Sequence, residues 1–288
     1  MVNESAGAAD EVAADEDVND EILHRVENAT LWITLNRPRV GNALGPPQRG
    51  QVIDLLTQAN RSLAVRAVVI TAAGDAFCTG ADLRGKLPPP VDDAPPHAPE
   101  RPAGSTMRSV RSGAQRFIDA VLNCDKPVLA AVNGTAAGIG AHLAFACDLV
   151  IAADTARFIE VFVRRGIVPD GGGMWLLPRL VGMQRAKELV FFGDALPAAD
   201  AERLGLVNRV VPAQELEATT RQWADRLAAS PTTAIGLAKS LLNRSFESTW
   251  DVALRDEAAA VEINKGTQDA AEGIASFRER RAARFVGW

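Results

Sequence analysis

VLAAVNGTAAGIGAHLAFACD, residues 128–148, runs from a buried strand through a tight turn and a series of small residues into a helix. VVITAAGDAFCTGADL, residues 68–83, has the same order of features. Glycine and alanine at a helix entry leave the first backbone N–H groups unobstructed, and these groups lie at the positive end of the helix dipole. Two such turns facing each other would aim two donors at one point. That arrangement stabilises a thioester oxygen as it becomes an enolate oxyanion.

Other glycine-rich sites are less consistent with these residues. A phosphate loop requires Gly-Lys followed by Ser or Thr, which neither segment contains. A dinucleotide fingerprint requires a third glycine, which is absent after Gly138-Ile139-Gly140. Tight packing of a helix on a strand remains the structural alternative for either turn by itself.

The chain around these turns predicts an α/β protein. Short apolar runs at 22–35, 65–72, 127–132 and 148–153 indicate strands, and helical spacing dominates after residue 175, with a short strand at 207–211. Strand–turn–helix units recur in the first half, which favours a layered or spiral core. We therefore expect a disordered acidic tail over 1–20, a core over 21–211 and a helical region over 212–288.

Composition excludes several classes of protein. Eight acids and no base fall within residues 1–21, so the N-terminus is unlike a signal peptide and the rest of the chain is mildly basic. No run of apolar residues is long enough for a membrane span, and no basic run indicates a nucleic-acid partner. The three cysteines lie in apolar settings without metal-type spacing, which predicts reduced buried thiols in a cytoplasmic protein.

Several motifs in a fixed order resemble the enoyl-CoA hydratase/isomerase (crotonase) superfamily over residues 22–285. They are Asn36-Arg37-Pro38 followed by Asn42-Ala43-Leu44; Ala76-Phe77-Cys78-Thr79-Gly80-Ala81-Asp82-Leu83; Lys126-Pro127 with Ala131-Val132-Asn133-Gly134; Gly138-Ile139-Gly140 with Ala146-Cys147-Asp148; and Gly166 with Pro169. The resemblance implies a spiral of ββα units and a C-terminal helical trimerisation region, commonly in a dimer of trimers. It also implies an acyl-CoA substrate and no separate cofactor.

The resemblance assigns the backbone N–H groups of Ala81 and Ile139 to the oxyanion hole. It also implies that coenzyme A runs past residues beside the first turn, which are Arg39, Val40, Asp82 and Leu83. Phe277 and Arg280 would approach it from the C-terminal helix. Asp82 equally fits a helix N-cap. The basic stretch 278–284 fits either a solvated helix face or a phosphate contact.

The two glutamates that hydratases of this superfamily use are absent. Their positions fall on His142 and Phe162. His142 could act as a base, although a histidine on the buried face of an apolar helix is usually a hydrogen-bonded core residue. Glu160 would share one side of an extended strand with Phe162 and could form an ion pair with Arg164 or Arg165.

Asp170 is the second candidate acid/base. It lies in VPDGGG, residues 168–173, where Asp is also an ordinary helix N-cap. The segment 166–180 resembles the phenylacetate-pathway isomerase branch, which lacks both glutamates and uses an aspartate at this position. This implies a single-base proton shuttle by Asp170.

Three functions follow as hypotheses. The first is an isomerase that moves a double bond through an enolate, and the second is a 2-enoyl-CoA hydratase that uses His142 or Asp170. The third is a non-catalytic acyl-CoA-binding protein. The proline-rich segment 88–102 is either a lid over the acyl pocket or a surface insertion.

Overall fold

The computed structural model describes residues 21–84, 95, 97–99 and 102–288. The predicted tail, 1–20, and most of the proline-rich segment 88–102 therefore lie outside the described residues.

Ten strands form two sheets. In chain order they are β1 (Ile22–Glu27), β2 (Thr30–Leu35), β3 (Ala67–Ala72), β4 (Ala76–Cys78), β5 (Val128–Val132), β6 (Thr135–Ala137), β7 (Leu149–Ala153), β8 (Arg157–Ile159), β9 (Ala195–Pro197) and β10 (Arg209–Val211). The larger sheet has the order β1-β2-β3-β5-β7-β10, and the smaller has the order β4-β6-β8-β9. Only the edge pairs β1–β2 and β8–β9 are antiparallel among the described strands.

Eleven α-helices are described. They are α1 (Pro46–Arg61), α2 (Ser105–Val110), α3 (Arg116–Leu122), α4 (Ile139–Ala146), α5 (Gly173–Val181), α6 (Met183–Phe192), α7 (Ala198–Arg203), α8 (Leu216–Ala228), α9 (Thr232–Arg244), α10 (Trp250–Lys265) and α11 (Gln268–Glu279). A π-helical segment, Arg111–Gln115, joins α2 to α3.

The two sheets arise from a repeated path of the chain. Each of β3, β5 and β7 lies in the larger sheet and is followed at once by a short strand of the smaller sheet, β4, β6 and β8 respectively. Each repeat then continues toward a helix and returns to the next position in the larger sheet. All five residues of β5 are buried, as expected for a parallel strand covered on both faces. This is the predicted spiral of ββα units, and the α/β fold class is confirmed.

Local details differ from the sequence prediction in three places. The strands of the smaller sheet were missed because three-residue strands are too short to show a period of two. Residues 107–123, whose apolar spacing predicts one helix, instead form α2 and α3 with the π segment between them. Strand β8 ends at Ile159, so the extended strand expected to carry Glu160 and Phe162 was wrong.

The C-terminal helices are tied to the core by a buried cation. Lys239 of α9 is buried, and its Nζ lies 2.8 Å from Oδ2 of Asp148. It also donates to the carbonyl oxygens of Val121 (3.2 Å) and Lys126 (3.3 Å). Because a buried ammonium is costly unless it is paired, these acceptors fix α9 against the ends of α3 and β5. None of the described helices has both the length and the apolar character needed to cross a bilayer.

Candidate active site

The two glycine-rich turns meet at the carboxyl ends of neighbouring parallel strands. β4 pairs with β6, and the turn after each strand leads toward Ala81 and Ile139 respectively. A Cβ built on Gly140 would lie 2.7 Å from Cβ of Cys78 and closer still to the Cys78 carbonyl oxygen. A Cβ on Gly80 would lie 3.2 Å from the carbonyl oxygen of Ala137. Glycine at both positions therefore allows the backbones of the two turns to touch, and the predicted juxtaposition is present.

The backbone N–H groups of Ala81 and Ile139 are available as donors. Ala81 forms a bridge with Leu44, whose N–H donates to Gly80 at 2.9 Å and whose oxygen accepts from Asp82 at 3.2 Å. Ile139 is the first residue of α4, where an N–H has no intrahelical acceptor. Neither N–H has a hydrogen-bond partner among the described residues.

Asn42 holds the first turn in place. Its backbone is left-handed, with φ 56°, and its side chain is buried. Oδ1 accepts from the N–H of Arg37 at 2.7 Å, while Nδ2 donates to the carbonyls of Ala73 (2.8 Å) and Ala76 (2.7 Å). The Asn36-Arg37-Pro38…Asn42 motif therefore fastens one turn against the segment between β3 and β4. An Asn at φ > 0 with three satisfied bonds explains why that residue type occupies the position.

Most of the predicted coenzyme A residues lie beside this turn. Arg39 and Val40 belong to a 3₁₀ turn, Pro38–Val40, and the next residue, Gly41, accepts a hydrogen bond from the N–H of Thr79 at 2.9 Å. Leu83 is exposed next to Asp82. Phe277 and Arg280 lie at the end of α11, where Phe277 is 85% exposed. No hydrogen bond or ion pair between described residues joins these last two to the Ala81 turn.

Asp82 forms ion pairs with two arginines. Its carboxylate lies 3.1 Å from Nε of Arg84 and 3.0 Å from Nη1 of Arg37. Hydrogen bonds from Arg84 and then Arg37 lower the pKa of Asp82 to about 2, against a smaller opposing effect of burial. The carboxylate therefore stays ionised and braces the turn that carries Ala81. Its alternative role as a helix N-cap involves residues from 85 to 94, which lie outside the described residues.

Asp170 lies on the turn that covers the N-terminus of α4. The carboxylate is half-buried, and no described residue forms a hydrogen bond or ion pair with it within 4.0 Å. The N-cap of α5 is Gly172, with φ 82°, so the alternative of Asp170 as an N-cap was wrong. A Cβ on Gly171 would contact side chains of both Ile139 and Ile118 at 3.5–3.6 Å. The turn therefore packs directly against Ile139, the second of the two residues assigned to the oxyanion hole.

His142 and Glu160 form a buried pair beneath this turn. His142 is 0% exposed, and its Nε2 lies 3.1 Å and 3.2 Å from the two carboxylate oxygens of Glu160. Because a carboxylate only accepts, Nε2 carries the hydrogen of this bond. The ring stacks on Phe162 at 5.3 Å, and Nδ1 is buried without a partner among the described residues.

The ion pair expected between Glu160 and Arg164 or Arg165 was wrong. Arg164 instead pairs with Asp194 at 3.1 Å, and Glu160 turns inward to His142. Gly173 makes room for the imidazole, since a Cβ there would overlap the ring. The interpretation of His142 as a hydrogen-bonded core residue fits this geometry, while its role as a base stays a prediction.

Arg49 is a charged residue near the site that the sequence analysis did not single out. It lies on the same face of α1 as Val52, Ile53 and Leu56, which are buried. The sequence contained a signal for this position, since Arg49 precedes the apolar residues of α1 by three, four and seven positions. A residue at that spacing lies on the apolar face of its helix.

Other chemistries find little support in the described part of the chain. It contains no group of three or more His, Cys, Asp or Glu side chains that could hold a metal ion. The three cysteines, Cys78, Cys124 and Cys147, are buried and unpaired. Burial raises the pKa of Cys78 to about 12, so this thiol beside the first turn is not a ready nucleophile.

Comparison with known proteins agrees with this architecture. The family model "Enoyl-CoA hydratase/isomerase" matches residues 25–287. The 1,2-epoxyphenylacetyl-CoA isomerase of Escherichia coli K12 is 36% identical over 266 residues, covering 92% of this chain and 98% of the relative. The crotonyl-CoA hydratase of Syntrophomonas wolfei is 36% identical over 268 residues, covering 93% and 98%.

Solved structures give the same result. The crystal structure of enoyl-CoA hydratase from Bacillus anthracis superposes with a TM-score of 0.83 at 32% identity, covering 93% of this chain and 100% of that chain. An enoyl-CoA hydratase/isomerase from Cupriavidus metallidurans CH34 gives 0.83 at 33% identity, covering 93% and 97%. With the family model spanning nearly all of the described chain, this protein is a member of the enoyl-CoA hydratase/isomerase (crotonase) family of enzymes.

Proposed function

We propose that this enzyme is an enoyl-CoA isomerase that moves a double bond by proton transfer through an enolate. The observation that carries the proposal is the contact of the two glycine-rich turns, with the N–H groups of Ala81 and Ile139 at their tips and Asp170 on the turn packed against Ile139. Preorganised donors of this kind lower a barrier by roughly 2.7–4 kcal/mol each.

The reaction needs one carboxylate. The thioester oxygen of a 3-enoyl-CoA lies between the two N–H groups, which lowers the pKa of the protons on C2. Asp170 accepts a proton from C2, the electron pair delocalises over C2 to C4 and the oxygen, and the same carboxyl returns the proton to C4. The product is a 2-enoyl-CoA, and Asp170 is ionised again. A positioned acid/base contributes about 10²- to 10⁴-fold.

Asp170 is a better candidate for this shuttle than His142. The carboxylate of Asp170 is half-buried and has no hydrogen-bond or ion-pair partner among the described residues. Nε2 of His142 already donates to Glu160, and its ring is enclosed by Phe162 and Gly173. A substrate carbon would have to displace the turn at Gly171 to reach the imidazole.

Coenzyme A is part of the substrate, and no separate cofactor is proposed. We assign its binding to Arg39, Val40, Asp82 and Leu83 beside the first turn, with Phe277 and Arg280 contributed across a subunit contact of a homotrimer or a dimer of trimers. Large exposed apolar side chains on the C-terminal helices, among them Trp250 at 75%, support such assembly. Sedimentation at micromolar concentration tests it, and a monomer would contradict it.

A 2-enoyl-CoA hydratase is the second candidate. It is favoured by the unpartnered Nδ1 of His142, which lies near Gly171 beside Ile139, and by the identity to a relative named as a crotonyl-CoA hydratase. In this reading Glu160 orients the imidazole and Nδ1 accepts a proton from water.

NMR in D₂O distinguishes the candidates, with 3-hexenoyl-CoA and 2-hexenoyl-CoA as substrates. We expect bond migration and deuterium exchange at C2 and C4 with the wild type, and loss of both in Asp170→Asn. Asp54→Asn, an exposed carboxylate on α1, is the matched control and should behave as wild type. Hydration that survives Asp170→Asn but is lost in His142→Gln, which can retain a donor toward Glu160, would select the second candidate. Full exchange in Asp170→Asn would remove Asp170 from the mechanism.

A further inference from the structure

Helix α5 follows the Asp170 turn directly and is weakened within its own hydrogen-bond ladder. Residues 171–173 are all glycine, and two of them have positive φ, so the turn has little side-chain packing of its own. Pro178 lies inside the helix. Because proline has no N–H, the carbonyl of Met174 receives no helical hydrogen bond from residue 178. The placement of Asp170 therefore depends on what holds α5 from outside.

A cavity of about 470 Å³ lies between α5 and α9. Leu176 and Leu180 line it on the α5 side, and Ile235 and Leu242 line it on the α9 side. Side chains that border a void lose the contacts that a packed neighbour would provide. Over this space, apolar packing does not fix α5 against the C-terminal helices.

A polar cluster of Trp175, Arg179 and Glu247, here called the clasp, connects α5 to the segment between α9 and α10. Oε1 of Glu247 accepts from Nε1 of Trp175 at 3.0 Å and also from Nη2 of Arg179. Cζ of Arg179 lies 4.0 Å from the centroid of the Trp175 ring, and its Nη1 donates to the Trp175 carbonyl at 2.9 Å. The clasp thus joins residues on both sides of Pro178 to each other and to the C-terminal region.

The first turn of α5 lies between the clasp and the candidate active site. On the side of α4, a Cβ on Gly173 would overlap the imidazole of His142, so the backbone there is pressed against the ring. The N–H of Trp175 donates to the carbonyl of Gly172 at 2.9 Å. A change at the clasp therefore reaches the Asp170 turn through a single helical turn.

We propose that Glu247 is a positioning residue for proton transfer, which sets the start of α5 and the placement of the Asp170 carboxylate through Trp175 and Arg179. This inference rests on the proposed shuttle by Asp170. The side chain of Glu247 is more than half exposed, and an exposed ion pair contributes little to stability. Its effect should fall on the rate, because a misplacement of about 1 Å can cost roughly 100-fold.

Three substitutions test the clasp. Glu247→Ala removes the shared acceptor, whereas Glu247→Gln keeps a carbonyl oxygen that can accept from the indole. Glu257→Ala is the matched control, since Glu257 is an exposed carboxylate on α10 without a hydrogen-bond or ion-pair partner among the described residues. Each is prepared with Asp170 intact and in the Asp170→Asn background. The assays are kcat and KM for 3-hexenoyl-CoA, thermal denaturation, and backbone amide exchange over residues 170–176.

Glu247→Ala should lower kcat about 10- to 100-fold and leave KM within threefold, and Glu247→Gln should recover most of the loss. In the Asp170→Asn background Glu247→Ala should cause no further loss, because a residue that acts through Asp170 is then without effect. Amide exchange over 170–176 should be faster in Glu247→Ala and unchanged in α4. Glu257→Ala should match the wild type in every assay.

Three outcomes would overturn the proposal. They are a wild-type kcat in Glu247→Ala, the same loss from Glu247→Ala in both backgrounds, and faster amide exchange throughout the protein, which would make the clasp a general support of the fold. A wild type that does not isomerise 3-hexenoyl-CoA would refute the proposed isomerase activity. Amide exchange then decides the positioning separately: faster exchange confined to 170–176 in Glu247→Ala would support it, and unchanged exchange would refute it.

Discussion

Replacing Gly140 by Ala tests whether contact between the two turns sets the activity. The added Cβ would lie 2.7 Å from Cβ of Cys78, whereas ordinary contact begins at 3.4 Å. It would also lie 2.2 Å from the Cys78 carbonyl oxygen, so the start of α4 must move by about 1.2 Å, and a misplacement of about 1 Å can cost roughly 100-fold in rate. Alanine favours a helix over glycine by about 1 kcal/mol, and overpacking costs about 1–3 kcal/mol. The net loss of stability should thus be small, about 0–2 kcal/mol.

The assay measures kcat and KM for 3-hexenoyl-CoA together with α-proton exchange in D₂O. We expect Gly140→Ala to lower kcat and the exchange rate about 100-fold, with KM changed far less, because the displaced Ile139 N–H acts on the developing oxyanion. Gly50→Ala is the matched control, since a Cβ on Gly50 of α1 meets no atom within 4 Å. A folded Gly140→Ala protein with wild-type kcat would refute the reasoning.

Two further predictions concern the first turn. Asn42→Ala should lower the free energy of unfolding in urea by about 2–4 kcal/mol, because it removes three hydrogen bonds from a residue at φ > 0. Asn42→Gly should lower it by about 1 kcal/mol less, because glycine tolerates that backbone conformation. Equal losses in the two variants would contradict the backbone contribution. Asp82 has a pKa lowered to about 2, so it stabilises the fold above the unfolded pKa of about 3.9 and loses that contribution as the pH falls toward 2. The difference in unfolding free energy between wild type and Asp82→Asn should be constant from pH 7 to about 5 and shrink below pH 4; an unchanged difference at pH 2.5 would contradict the ion pairs.

The sequence predicted the architecture because the same local pattern of strand, turn and helix recurs along the chain. Apolar runs of strand length, each followed by a turn rich in small residues, identify the spiral core, and the helical spacing after residue 175 was borne out in α5 to α11. The sequence also raised the possibility that the two glycine-rich turns face each other, and the contacts of Gly80 and Gly140 show that they do.

Local sequence could not predict which hydrogen-bond and ion-pair partners the charged side chains have in the fold. An aspartate before a helix looks like an N-cap, yet the two glycines after Asp170 adopt left-handed φ and move the cap to Gly172. Glu160 has arginines four and five residues away, but the chain bends after Ile159 and the carboxylate turns inward.

The sequence by itself determined the strand–turn–helix order, the glycine-rich turns and the absence of the usual pair of glutamates. The tertiary structure alone decided that His142 is buried against Glu160, 18 positions along the chain, and that the charge of Asp170 comes near enough to act on Arg49. The physical reason is that backbone periodicity is set by neighbouring residues. The environment of a buried charge is set by segments that meet only when the spiral closes.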